Sequence, residues 1–297
     1  MNKIIKISLA FLLLGAVMSI IAACNKNNAD IDISEQYIYN SSKNIECLYY
    51  NRLDFINIPD YELNSDVGTV NGCIVPHHLV AKDLIHEVFQ NVSKNRYKTV
   101  VLIGPDHEST NRGKVFTTLS SWQTPTGILE TDGELTEELM KLSFVKENDD
   151  KLTIEHSTST IIPFINYYLK DVKVVTLVLT KQVKLSDVEA LADALYDNIN
   201  SDETLFIASV DFSHYLSLEE ADKMDLISMD AIQNKNIQKI MSFTNDNLDS
   251  PISIVTMLKI MDKTGTSKKI ALNRSNSELI LKRKFDETTS YITYLFY

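Results

Sequence analysis

Cysteine is nearly absent from this sequence, with three in 297 residues, at Cys24, Cys47 and Cys73. So few exclude a disulfide framework, and none stands in the CxxC spacing on which thiolate metal sites are built. Basic residues are also short: 29 Lys and Arg stand against 40 Asp and Glu, a formal net charge of −11. Nucleic-acid binding rests on Lys and Arg neutralising phosphates, so this balance excludes a nucleic-acid partner. No internal repeat is visible. Only one long apolar run exists, from Ile7 to Ala23.

That run has the length of a signal-peptide core. Lys3 and Lys6 precede it, and Ile21-Ala22-Ala23-Cys24 ends it with two small residues directly before a cysteine. The pattern is that of a lipoprotein signal, residues 1–23, in which the Cys24 thiol is acylated and the chain is cut before it. The expected location is the cell membrane, with the protein lipid-anchored on its extracytoplasmic face. Loss of Lys3 and Lys6 with the signal takes the charge from −11 to −13. Residues 24–44, polar and aperiodic, read as the lipidated cysteine and a flexible tether. The remainder, 45–297, suits one α/β domain. Cys47 and Cys73 could pair in an oxidising compartment, but Cys73 sits in an apolar run and reads as a small buried residue.

Within the domain, apolar runs alternate with amphipathic ones. Val70–Val75, Thr99–Ile103, Val172–Leu179, Leu205–Val210 and Thr288–Tyr297 read as strands. Leu79–Val92 reads as a helix with Leu84, Ile85, Val88, Phe89 and Val92 on one face. Ser186 with Glu189, and Ser217 with Glu220, are spaced as capping boxes, while Ser250-Pro251 reads as an N-cap followed by the first helical residue. Strands that are apolar throughout, separated by helices, predict a mainly parallel sheet covered on both faces. Such sheets bind ligands beyond the carboxyl ends of their strands.

Four of the six histidines fall just there. His77 and His78 follow the run ending in Val75-Pro76; His107 follows Ile103-Gly104-Pro105-Asp106; His214, with Asp211, follows Ser209-Val210. His156 opens a further helical stretch. His86 lies mid-helix, where a solvated or core-edge role is expected. Imidazole and carboxylate together suit one divalent transition metal, Zn, Cu or Fe, and two His with one carboxylate leave positions for a substrate.

These residues also carry a resemblance. Val75-Pro76-His77, Gly104-Pro105-Asp106-His107, Trp122-Gln123-Thr124-Pro125-Thr126-Gly127, Glu155-His156-Ser157 with Pro163-Phe164, and Asp211-Phe212-Ser213-His214-Tyr215 occur in one order. That order resembles the Memo family, known in bacteria as AmmeMemoRadiSam system protein B, whose fold is similar to that of class III extradiol dioxygenases. The resemblance runs from about residue 68 to the C-terminus. It implies metal ligands at His77, His107 and Asp211, with His214 beside them. The chain departs from the family where Pro-His-Ala-Gly-Tyr has become Pro76-His77-His78-Leu79-Val80, and Ser159 stands where a second glutamate is usual. The cysteine that the family often carries before its Pro-Ile helix is also missing from Asn247-Leu248-Asp249-Ser250-Pro251-Ile252. A thiolate ligand from that region is thereby excluded, but a His/His/Asp site is not.

Two functions stay open at this point, beside a third reading in which the histidines are structural and the protein an inert scaffold. One is a metal-dependent oxidoreductase, dioxygenase-like, with His214 as general acid/base and His156, backed by Glu155, orienting substrate or ligand. The other is a surface protein that binds metal or ligand without turnover. The partner is an unidentified small molecule or peptide, with the membrane reached through the lipid anchor.

Overall fold

The structure is a computed structural model that describes residues 44–108 and 113–297. The signal segment 1–23, Cys24 and all of the tether but residue 44 lie outside the described residues. No described helix is long and apolar enough to cross a membrane.

The strands in chain order are β1 (Asn44–Glu46), β2 (Gly72–Val75), β3 (Thr99–Pro105), β4 (Val115–Thr117), β5 (Ser121–Thr124), β6 (Gly127–Leu129), β7 (Val145–Glu147), β8 (Lys173–Leu179), β9 (Thr204–Ser209), β10 (His214–Leu216), β11 (Lys269–Asn276) and β12 (Thr288–Phe296). The α-helices are α1 (Lys82–Val92), α2 (Gly133–Met140), α3 (Asp149–Ile154), α4 (His156–Ser159), α5 (Ile162–Tyr168), α6 (Leu185–Asn198), α7 (Leu218–Gln233), α8 (Ile237–Met241), α9 (Pro251–Lys263) and α10 (Ser277–Leu281). The main sheet runs β10-β12-β2-β9-β3-β8-β4-β7, with β11 also on β12. Its centre, β2-β9-β3-β8, is parallel as predicted. The C-terminal strand β12 runs antiparallel to β2, and β4 runs antiparallel to β8. A separate small sheet orders β1-β5-β6.

Alternation along the central strands shows why they are apolar throughout. Val101 and Ile103 of β3, Val175 and Leu177 of β8, and Phe206 and Ala208 of β9 enter one core with Leu191 of α6 and Leu258 of α9. Val100 and Leu102, Val174 and Val178, and Leu205 and Ile207 enter the other with Phe89 of α1 and Phe164 of α5. Successive side chains point to opposite faces, so a strand covered on both sides is apolar at nearly every position, Thr176 of β8 being a buried exception. Gly104 is where β3 meets α4. A Cβ there would lie 2.7 Å from Ser157 Oγ and 2.9 Å from Thr158 Cγ2, so only a bare Cα permits this approach.

The predicted caps divide. Ser217 accepts from Glu220 N at 3.4 Å and Ser250 from Ser253 N at 3.3 Å, as the spacing implies. Ser186 caps nothing. Helix α6 begins two residues earlier, after Lys184, whose backbone N–H donates to Asp187 Oδ2 at 2.8 Å. The Asp187 carboxylate also holds Lys114, a partner that helix spacing alone does not disclose. His86 is buried rather than solvated: its ring bonds Tyr168 Oη and the Asp54 carbonyl, both at 2.9 Å. Cys47 and Cys73 are both buried and free.

Candidate metal centre

Strand register builds the site. Val75 of β2 pairs with Ser209 of β9, so two residues farther on His77 meets Asp211, and His77 N–H donates to Asp211 Oδ1 at 3.0 Å. Ile103 of β3 pairs with Ala208, which carries His107 out beside them. A third segment arrives from elsewhere in the chain. Phe212 forms a β-bridge with Leu248, and Asp249 N–H donates to the Asp211 carbonyl at 3.1 Å. Asp249, the residue just before the Ser250 cap of α9, is thereby delivered to the same strand ends.

Hydrogen bonds fix which face each imidazole presents. Ser209 Oγ donates to the Ser157 carbonyl at 2.5 Å, leaving it to accept from His77 Nδ1–H at 3.2 Å. His107 Nδ1–H donates to Glu155 Oε1 at 2.9 Å, and a carboxylate can only accept. Both rings therefore turn Nε2 inward. These two nitrogens lie 3.2 and 3.6 Å from the same Asp249 oxygen, Oδ2. The other oxygen, Asp249 Oδ1, is buried and has no hydrogen-bond partner. Asp211 Oδ2 stands 3.7 Å from His77 Nε2.

Ligand-type atoms of His77, Asp211 and Asp249 all lie within 4.8 Å of one another, as do those of His77, His107 and His156. His156 packs its ring 4.2 Å from that of His107, and its side chain is 40% exposed. Burial, and then His77 and His107, push its pKa down to about 4. Burial would lower the His77 and His107 pKa values too, but the carboxylates around them prevail. His107 is raised to about 10 by Asp249 and Glu155, and His77 is raised by Asp211 and Asp249. Asp249 is correspondingly held well below the ordinary carboxylate range by the two imidazoles, against the effect of its burial. The surrounding carboxylates thus favour the protonated form of both rings. A divalent cation in place of those protons would meet two imidazole nitrogens and the Asp249 carboxylate, whose Oδ2 faces both, a donor set that fits a transition metal.

The family model described as Memo-like protein matches residues 53–294. This chain belongs to the Memo-like family. Among curated relatives, a MEMO1 family protein of Aquifex aeolicus is 28% identical over 212 residues, covering 69% of this chain and 78% of its own. One from Thermoplasma acidophilum is 25% identical over 234 residues, covering 77% and 85%. One from Saccharolobus islandicus is 33% identical over 153 residues, covering 50% and 54%.

In this Memo-like chain the structure brings His77, His107, Asp211 and His156 together, and adds Asp249, which sequence reasoning passed over. The signal was present: Asp249 stands in the segment where the family often has a cysteine, and it precedes a readable helix start. Glu155 does more than stand behind His156. Its fully buried carboxylate lies 3.5 Å from His156 Nδ1 and also accepts, at shorter range, from His107 Nδ1 and, at 2.8 Å, from His107 N. His214 joins neither ligand cluster among the described residues. Its backbone N–H donates to the Asn245 carbonyl at 2.8 Å, and its Nδ1 is buried without a partner. His78 bonds the buried Tyr291 hydroxyl at 2.7 Å through Nδ1. A cleft of about 730 Å³ opens onto His107 and Asp249, between Leu179–Val183 on one side and Met241–Ile252 on the other, with Tyr215 at its margin. That volume suits a small molecule.

Proposed function

We propose that this chain is an extracytoplasmic lipoprotein whose Memo-like domain holds one divalent transition metal between His77, His107 and Asp249 and applies it to oxidoreductase chemistry on a small ligand. The observation that carries the reading is the convergence of two orientation-locked imidazoles on one buried carboxylate, whose second oxygen has no protein partner. Two His and one carboxylate occupy one face of an ion and leave the opposite face for ligands. When bound, the metal supplies Lewis acidity and, as iron or copper, electron exchange.

The remaining residues have distinct tasks. Asp211 holds the His77 backbone and adds negative charge at 3.7 Å from its ring. Glu155 and Ser209 lock the ring orientations, as outer partners of metal-bound histidines commonly do. His156, partly exposed and left outside the proposed ligand set, is the group placed to exchange a proton with a bound ligand. His214, three residues beyond Asp211 with its Nδ1 buried and unpaired, is assigned the same kind of role. The anchor is supported by Lys3, Lys6, the run Ile7–Ala23 and Cys24.

Elemental analysis of the purified protein, prepared without added metal, tests the first half: one equivalent of Zn, Cu or Fe is expected, and none would end the metal reading. Oxygen uptake or reduction with phenolic compounds then tests the second. A metal-loaded protein inert to every such compound would be a binding protein, not an oxidoreductase.

A further inference from the structure

We propose that Lys151 is a positioning residue for His107, acting from α3 as the second arm of a clamp whose first arm is Glu155. Its consequence for metal binding rests on the metal reading above; its geometry does not. The Lys151 side chain is wholly buried, and its Nζ lies 2.7 Å from Asp106 Oδ1, which is buried as completely. An ion pair so placed is no stability device in itself, because well-packed apolar residues commonly do as well or better. Its position calls for another reason.

Asp106 is the residue before His107. The oxygen that meets Lys151 also accepts from Glu108 N–H at 3.0 Å, so this carboxylate spans His107 and sets the turn that ends β3. Asp106 N–H in turn donates to the Leu179 carbonyl at 3.0 Å, tying the turn to the end of β8. From the other side Glu155 takes both the ring Nδ1–H and the backbone N–H of His107. Lys151 and Glu155 are one helical turn apart, with Glu155 N–H donating to the Lys151 carbonyl at 3.0 Å. Helix α3 is itself pinned at its start. Asn148 Oδ1 accepts from Lys151 N at 2.9 Å, and the Asp149 carboxylate accepts from Thr118 Oγ1 at 2.7 Å and Ser120 Oγ at 2.9 Å. One short, anchored helix and the Glu155 that caps its end thus grip His107, Glu155 by its ring and its amide and Lys151 by the residue that aims it. A ligand side chain performs only when its supports hold it within a fraction of an ångström.

The single change Lys151→Met strands the Asp106 charge and can fail to fold. The deciding variant is therefore Lys151→Met with Asp106→Asn, which removes both charges and keeps an acceptor oxygen for Glu108 N–H. Three quantities are read: the melting temperature, the exchange of the His107 Nδ1 proton with water by NMR of the metal-free protein, and zinc affinity by chelator competition. The double variant is expected to melt close to wild type, to exchange the His107 Nδ1 proton about tenfold faster or more, and to bind zinc about tenfold more weakly, the scale of lost outer partners. A folded double variant with wild-type Nδ1 exchange would overturn the clamp, whatever its metal content. Unaltered zinc affinity alongside faster exchange would overturn the claim that the clamp serves the metal. Failure of the wild-type protein to bind zinc or any other metal would instead overturn the metal reading, and the Nδ1 exchange would still decide the clamp.

Discussion

Replacing Glu155 by Gln removes one negative charge from a fully buried position while nearly preserving shape. Burial alone would raise the Glu155 pKa; hydrogen bonding and charge from His107, with the Ser157 and His107 amides, outweigh it and lower it from 4.5 to about 2. That depression corresponds to about 3 kcal/mol favouring the ionised carboxylate in the folded protein. Glutamine keeps one acceptor oxygen but turns a donor toward His107 Nδ1–H or the amides, so most of this interaction is lost. For a domain of this size, about 2–3 kcal/mol lowers the melting temperature by roughly 5–10 °C. The pH dependence carries a signature. A carboxylate depressed in the folded state stabilises it fully above the unfolded value, and that contribution disappears as pH falls from about 4.5 toward 2. The partner imidazole works in the opposite sense: His107, raised to about 10, stabilises the metal-free fold below 6.5 and loses that contribution as pH rises toward 10. Glu155→Gln should flatten both limbs. It should also weaken metal binding by about 10–100-fold, since the anion orienting a ligand histidine is gone. Thermal melts of metal-free protein across pH, with chelator competition at neutral pH, read all of this. A variant that melts within about 2 °C of wild type at pH 6 and binds metal equally well would refute the reasoning.

Asp249→Ala should abolish stoichiometric metal while the domain stays folded, whereas Asp249→Cys should restore binding with a preference for softer ions, checked by elemental analysis. Gly104→Ala should cost about 1–3 kcal/mol by forcing α4 away from β3, seen as a lowered denaturation midpoint, because its Cβ would lie 2.7 Å from Ser157 Oγ. Cys24→Ala should move the protein from the membrane fraction to the soluble one, and a variant still membrane-bound after signal cleavage would contradict lipid anchoring.

Much of this architecture is written in local pattern. Runs such as Val100–Ile103 and Leu205–Ala208 have no polar interruption because both faces of β3 and β9 are covered, and imidazoles just past their ends mark the site. What escaped has physical causes. The direction of β12 was not readable, since an apolar strand looks the same parallel or antiparallel. β11, with Asn273, Arg274 and Ser275 exposed or partly so, lacks the apolar run that announced β2, β3, β8, β9 and β12, as do the short strands β1, β4, β5, β6, β7 and β10. Asp249 reaches the site by a bridge between Phe212 and Leu248, residues 36 positions apart, which no local spacing encodes. Glu155 was visible beside His156, but its shorter bonds run to His107, 48 positions away, which no local spacing encodes.

The central claim, that His77, His107 and Asp249 hold a metal, is tested most directly by anomalous scattering from crystals of the protein purified without added metal. One peak is expected at about 2.0–2.2 Å from His77 Nε2, His107 Nε2 and an Asp249 oxygen. No peak at these residues, or a peak bound by Asp211 with Asp249 uninvolved, would contradict it.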